Sequence, residues 1–209
     1  GATNGDSVDA RASSGTLTIK GVQTDFDDQF TVFGSAGEDT IEITAAGATT
    51  ADLDDVTAIE NIVIKDASAA GTDAKLTVNN SATVATYGGP TSINIDATEL
   101  DGGTGAFDEI FTLIGTGSMP LNVTSGGGAD ILDGGSANDI INGGAGADII
   151  DGNAGLDNLS GGAGNDTIVQ NSKTDFITAF GADIIDGGAG NDTLELGASM
   201  NLVASQLGT

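Results

Sequence analysis

From residue 125 to residue 195 the chain repeats itself with a period of nine, and no other feature limits its fold as tightly. The units read SGGGADILD (125 to 133), GGSANDIIN (134 to 142), GGAGADIID (143 to 151), GNAGLDNLS (152 to 160) and GGAGNDTIV (161 to 169). An eight-residue stretch, QNSKTDFI (170 to 177), breaks the phase, and TAFGADIID (178 to 186) and GGAGNDTLE (187 to 195) restore it. Asp occupies the sixth position throughout, as Asp130, Asp139, Asp148, Asp157, Asp166, Asp175, Asp183 and Asp192. Leu or Ile occupies the eighth, as Leu132, Ile141, Ile150, Leu159, Ile168, Ile177, Ile185 and Leu194. A unit this short cannot bury an apolar face alone, so copies must stack and cover one another.

Within each unit the chemistry divides in two. Glycines at the second and fourth positions permit positive φ and close backbone approach, so that turn carbonyls can point at a hard cation. Gly126, Gly128, Gly135, Gly144, Gly146, Gly155, Gly162, Gly164, Gly188 and Gly190 fill these places, and the sixth-position Asp adds a charged ligand. The last three residues form a short strand whose central Leu or Ile points inward while its neighbours point out.

These units resemble the GGxGxDxUx nonapeptide of RTX (repeats-in-toxin) proteins, a repeat that binds calcium and builds a β-helix. The resemblance covers residues 125 to 195, with Ala137 and Asn153 in glycine positions and the 170 to 177 unit as its departures. It implies an all-β fold, a calcium-bound parallel β-roll or β-solenoid in which two nonapeptides make one coil and equivalent turns recur every 18 residues. On that geometry the unit at 125 stacks on 143, 143 on 161 and 161 on 178, with 134, 152, 170 and 187 along the other edge. About four to six calcium ions are then expected between stacked turns. Lys173 offers an internal cation in the glycine-poor 170 unit.

Charge points the same way. The 209 residues carry 31 Asp plus Glu against 5 Lys plus Arg, a net of −26, and no basic residue lies between Lys75 and Lys173. Such a surface repels phosphate backbones and anionic lipid, so neither nucleic acid nor a membrane surface is an expected partner. No apolar run is long enough to span a bilayer, and no leader with a basic start and apolar middle is present; the first residue, Gly1, suggests a piece or processed form of something longer. With no Cys and no His, disulfides, thiolate or imidazole metal sites and every catalytic arrangement that needs either residue are excluded. Paired carboxylates could still hydrolyse glycosides, but there is no Trp and only Tyr87 to stack a sugar, so the chain is expected not to be an enzyme.

Residues 1 to 124 form an irregular β-rich, solenoid-like half, 125 to 195 the β-roll, and 196 to 209 a C-terminal cap or linker. Strands are expected in TLTIKGV (16 to 22), FTVFG (30 to 34), DTIEIT (39 to 44), ENIVIK (60 to 65), AKLTVNN (74 to 80), TSINIDA (91 to 97) and IFTLIG (110 to 115). TTADLDDVTAI (49 to 59) is expected to hold one short helical turn. Two segments read as degenerate repeats, GSAGEDTIE (34 to 42) with Asp39 in phase and GGTGAFDEI (102 to 110) with Asp108 one residue late, and both are candidate calcium sites.

In texture the chain also resembles calcium-dependent S-layer proteins of Gram-negative bacteria and related surface adhesins. This second resemblance implies a secreted structural protein of the bacterial cell surface or extracellular matrix, exported by type I secretion. It would assemble on calcium as a homo-oligomer or polymer, with calcium-bridged contact to surface polysaccharide. The alternative is a non-catalytic RTX module of a larger secreted enzyme or adhesin. At the seventh position Ile131, Ile149 and Ile184 are expected to share one outer face, a candidate interface, whereas the ninth-position acids Asp133, Asp151 and Asp186 are expected to be solvated.

Overall fold

A computed structural model describes residues 7–26, 31–45, 50–53, 56–65, 74–78, 92–100, 110–171 and 183–197. In chain order the strands are β1 (Ser7–Asp9), β2 (Thr18–Val22), β3 (Thr31–Phe33), β4 (Thr40–Thr44), β5 (Thr50–Asp52), β6 (Val56–Thr57), β7 (Asn61–Lys65), β8 (Ala74–Val78) and β9 (Ile93–Asp96). They continue with β10 (Phe111–Gly115), β11 (Leu121–Thr124), β12 (Ile131–Asp133), β13 (Ile140–Asn142), β14 (Ile149–Asp151), β15 (Asn158–Ala163), β16 (Thr167–Gln170), β17 (Ile184–Ala189) and β18 (Thr193–Leu196). Each of the seven strands expected in the N-terminal half is present, within a few residues of its expected ends.

Among the described residues every strand pairing is parallel. One sheet runs β2-β4-β7-β9-β11-β13-β15-β17, a second runs β5-β8-β10-β12-β14-β16-β18, and a small third runs β1-β3-β6. From β10 onward the chain alternates between the two large sheets, so each coil advances by about one strand spacing of 4.8 Å. The result is a parallel β-solenoid whose larger sheet passes without a break from the irregular half into the repeats.

Two apolar ladders hold the sheets together. Ile41, Ile62, Ile95, Val123, Ile141 and Leu159 lie in register on one sheet. Leu76, Leu113, Leu132, Ile150 and Ile168 lie in register on the other. All are buried, and each inward side chain touches its equivalents in the coils above and below. A strand presents alternate residues to one side, so a single inward Leu or Ile per three-residue strand suffices to make a continuous column.

Four expectations change. The helical turn expected in 49 to 59 is instead the pair β5 and β6, because Ala51 pairs with Leu76 and is buried, as is Leu53. Strand pairing thus overrides a helix-like local composition; the described helix is a 3₁₀ turn at Gln23–Asp25. The stacking order also changes after Gln170. β15 pairs directly with β17 and β16 with β18, so the 178 unit stacks on 152 and the 187 unit on 161. The two later units therefore exchange edges relative to the expected order.

That exchange moves Ile184 to the sheet carrying Ile140 and Asn158, leaving Ile131 and Ile149 adjacent on the opposite sheet. Finally, the eighth-position residues are not all core: Ile168 is 2% exposed, but its partner Leu194 is 43% exposed, since β18 is the last described rung of its sheet.

Candidate metal centre

Each described sixth-position Asp stands just before its strand and reaches with its side chain to the neighbouring coil. Its Oδ1 accepts the backbone N–H of the residue one coil earlier. Asp130, Asp148 and Asp166 accept from Phe111, Asp130 and Asp148 at 2.8, 2.8 and 2.9 Å. On the other edge Asp139 and Asp157 accept from Leu121 and Asp139, both at 2.8 Å. After the change of step, Asp183 accepts from Asp157 at 2.8 Å and Asp192 from Asp166 at 3.1 Å. The carboxylates thus form two continuous columns, satisfying N–H groups at the point where the chain enters each strand.

The second oxygen is the informative one. Oδ2 of Asp139, Asp148 and Asp166 is buried and has no hydrogen-bond partner among the described residues. A buried carboxylate oxygen without a donor or counter-charge is costly. It lies against the first glycine of its own unit: a Cβ built on Gly134, Gly143 or Gly161 would fall 2.6, 2.4 or 2.4 Å from Oδ2 of Asp139, Asp148 or Asp166. These first-position glycines were not among the residues singled out from the sequence, which emphasised the second and fourth positions.

Eight of those emphasised glycines, Gly135, Gly144, Gly146, Gly155, Gly162, Gly164, Gly188 and Gly190, do adopt positive φ; Gly126 and Gly128 are not among the positive-φ residues, and Asn153 takes the conformation at φ 61°. The turns stack so closely that a Cβ on Gly146 would fall 1.9 Å from the Gly128 carbonyl oxygen, and one on Gly164 would fall 1.5 Å from that of Gly146. Columns of carbonyl oxygens therefore run beside the columns of carboxylates.

No group of three or more carboxylates converges among the described residues, so a cation bound here must draw most of its ligands from the backbone. That donor set is all oxygen, which suits calcium with its six to eight oxygen ligands and excludes softer metals. Asp139, Asp148 and Asp166, with the carbonyls of the stacked turns, would hold it, and its charge would neutralise the buried carboxylates. Among the described residues no protein cation competes for them, and Lys173 lies outside the described residues. The ion pairs among the described residues, Arg11 with Asp9, Lys20 with Glu42 and Lys65 with Glu99, all lie in the N-terminal half.

Burial pushes Asp139 and Asp148 up to about 7, and raises Asp130 and Asp133 in the same direction. The unfolded value is about 3.9. A carboxyl raised on folding binds its proton more tightly in the folded state, so its contribution to stability is present below about pH 4 and is lost as pH rises through about 7. In chelator the roll is accordingly expected to be most stable in acid and to lose stability toward neutrality. In calcium the trend is expected to reverse, because the ion competes with the proton. Thermal melts at a series of pH values, with calcium and with EGTA, would check the crossing of the two profiles.

The degenerate repeat at 34 to 42 reproduces the carboxylate contact without the positive-φ glycines. Asp39 is fully buried, and its Oδ1 accepts Leu17 N–H at 2.6 Å from one coil earlier. Both Asp39 oxygens are met by protein donors, Oδ1 also by the Ser35 hydroxyl at 2.8 Å and Oδ2 by the Ser35 N–H. Glu60, which the sequence reading passed over, caps Asp39 N–H at 2.6 Å and so occupies the acidic place of the next coil. Its signal was the match of ENI (60 to 62) to DTI (39 to 41). Asp108 and Asp175 lie outside the described residues. The ninth-position acids are more than solvated surface, since Asp151 and Asp186 accept the N–H of Asn153 and Gly188 at 2.9 and 3.0 Å in Asx turns that start the next unit.

A four-copy profile of the RTX calcium-binding nonapeptide repeat matches residues 124–159, 133–168 and 175–199. Comparison with curated proteins and with solved structures gives no significant match. The columns of half-satisfied aspartates, the positive-φ glycines and the Leu/Ile ladder occupy the same residues as that profile, and over about a third of its length this chain is a block of RTX calcium-binding nonapeptide repeats.

Proposed function

We propose that this chain is a non-catalytic structural protein that works outside the cell, folding on extracellular calcium and assembling with copies of itself in an S-layer-like or filamentous array on a bacterial surface. The observation that carries this reading is the set of buried carboxylate oxygens at Asp139, Asp148 and Asp166 in a block with no described basic partner. Such a site suits a divalent cation, and one carboxylate per turn among neutral carbonyls supports the weak affinity of extracellular calcium sites. RTX repeats are typical of secreted proteins. No described helix is long and apolar enough to cross a membrane.

Assembly is supported by Ile131 and Ile149, neighbours on the same sheet that are 46% and 45% exposed. Two adjacent isoleucines facing water on a parallel sheet suit contact with another apolar surface, and calcium bridges to surface polysaccharide suit the acidic remainder. Electron microscopy and light scattering of the full chain are expected to show ordered assemblies in calcium and none in EGTA. The double substitution Ile131→Asn with Ile149→Asn is expected to abolish assembly while leaving the calcium-bound circular dichroism unchanged. A chain that folds on calcium yet stays monomeric would instead mark a folding and export module of a larger secreted protein.

A further inference from the structure

Not every sixth-position aspartate faces the same chemistry. Asp139, Asp148 and Asp166 bury an Oδ2 that no described group contacts by hydrogen bond. In Asp130 the corresponding oxygen accepts the hydroxyl of Ser125, and in Asp183 it accepts the side-chain amide of Gln170. Ser125 and Gln170 are themselves buried, at 3% and 1% exposure, and their donors point into the two carboxylates. Ser125 stands at the first position of its unit, where Gly134, Gly143, Gly152, Gly161 and Gly187 stand in others. Gln170 is the last residue of β16, at the place where the solenoid changes from an 18-residue to a 26-residue step between stacked aspartates.

We infer that Ser125 and Gln170 are built-in plugs, which supply to Asp130 and Asp183 the donor that calcium supplies elsewhere and so remove those two rungs from the cation-binding set. The inference rests on the calcium reading of the repeats and divides its sites into two classes. A hydroxyl or amide donor satisfies one oxygen without bringing charge, and its own bulk occupies the space beside the carboxylate. A glycine at the same place leaves both the space and the oxygen open. The plugged rungs lie at the start of the repeat block and at its change of step, so they hold the stack closed where the flanking coil offers a less regular partner. Their carboxylates are satisfied without metal.

The test is calorimetric calcium titration of the full-length chain, with thermal melts in EGTA as a second readout. Ser125→Gly is expected to add one bound calcium per chain and to lower the melting temperature in EGTA, because it turns the first unit into the unplugged form. Asp130→Asn is expected to leave the calcium count of the natural sequence unchanged, whereas Asp148→Asn lowers it. Equal losses from Asp130→Asn and Asp148→Asn, or a Ser125→Gly chain with an unchanged count, would overturn the inference while leaving calcium binding intact. A natural chain that takes up no calcium would overturn the calcium reading, and this inference with it.

Discussion

Asp148→Asn is expected to lower the stability of the calcium-loaded protein by about 3 kcal/mol or more, and Asp133→Asn by no more than about 1 kcal/mol. The two residues sit 15 positions apart in the same acidic block, but their surroundings differ. Asp148 is 1% exposed, caps Asp130 N–H with one oxygen and leaves the other buried without a donor. Asparagine retains an acceptor for that N–H but lacks the negative charge that a hard cation requires, so the loss falls on the metal rather than on the backbone bond. Asp133 is partly exposed, receives the Asn153 amide and stands beside Asp151, a role asparagine largely keeps. In EGTA near neutral pH the order is expected to change. Asp148→Asn removes a charge that burial disfavours, so it should no longer be the destabilising member of the pair. Denaturant unfolding of both variants in calcium and in EGTA checks the two halves of this expectation.

The contrast shows which parts of the molecule were legible beforehand. The sixth and eighth positions stood out because a repeat that stacks on itself must reuse the same chemistry in every coil, and the strands of the N-terminal half stood out by alternation alone. What escaped was everything decided by the neighbouring coil. Periodicity gives the phase of a residue within its unit but not the unit it will stack on. Once the eight-residue stretch at 170 intervened, nothing local indicated that 178 would return to the edge of 152 rather than of 161. Glu60 was missed for a related reason, since its place opposite Asp39 depends on the pairing of β4 with β7 across 21 residues of irregular sequence. Ser125 was not among the departures noted in the repeat, and its meaning appears only when its hydroxyl is seen to reach Asp130.

Full removal of calcium is expected to have the largest effect of all. Residues 125 to 195 carry twelve carboxylates and one lysine, and folding buries the sixth-position side chains of the central coils beside a column of apolar residues only one side chain wide per sheet. Electrostatic repulsion and the backbone entropy of many glycines oppose that compaction, and no described basic side chain relieves it. A cation that binds only the coiled form turns its binding free energy into folding free energy. The N-terminal half has ion pairs, larger buried side chains such as Phe26 and Phe111 at its two ends, and an Asp39 already satisfied by protein donors, so it depends less on the metal. Circular dichroism and hydrodynamic radius of the full chain, followed as EGTA lowers free calcium from the millimolar range near neutral pH, test this most directly. The account predicts a reversible loss of β signal together with expansion of the chain, both restored by added calcium; a chain that remains compact with its full β signal in excess EGTA would contradict it.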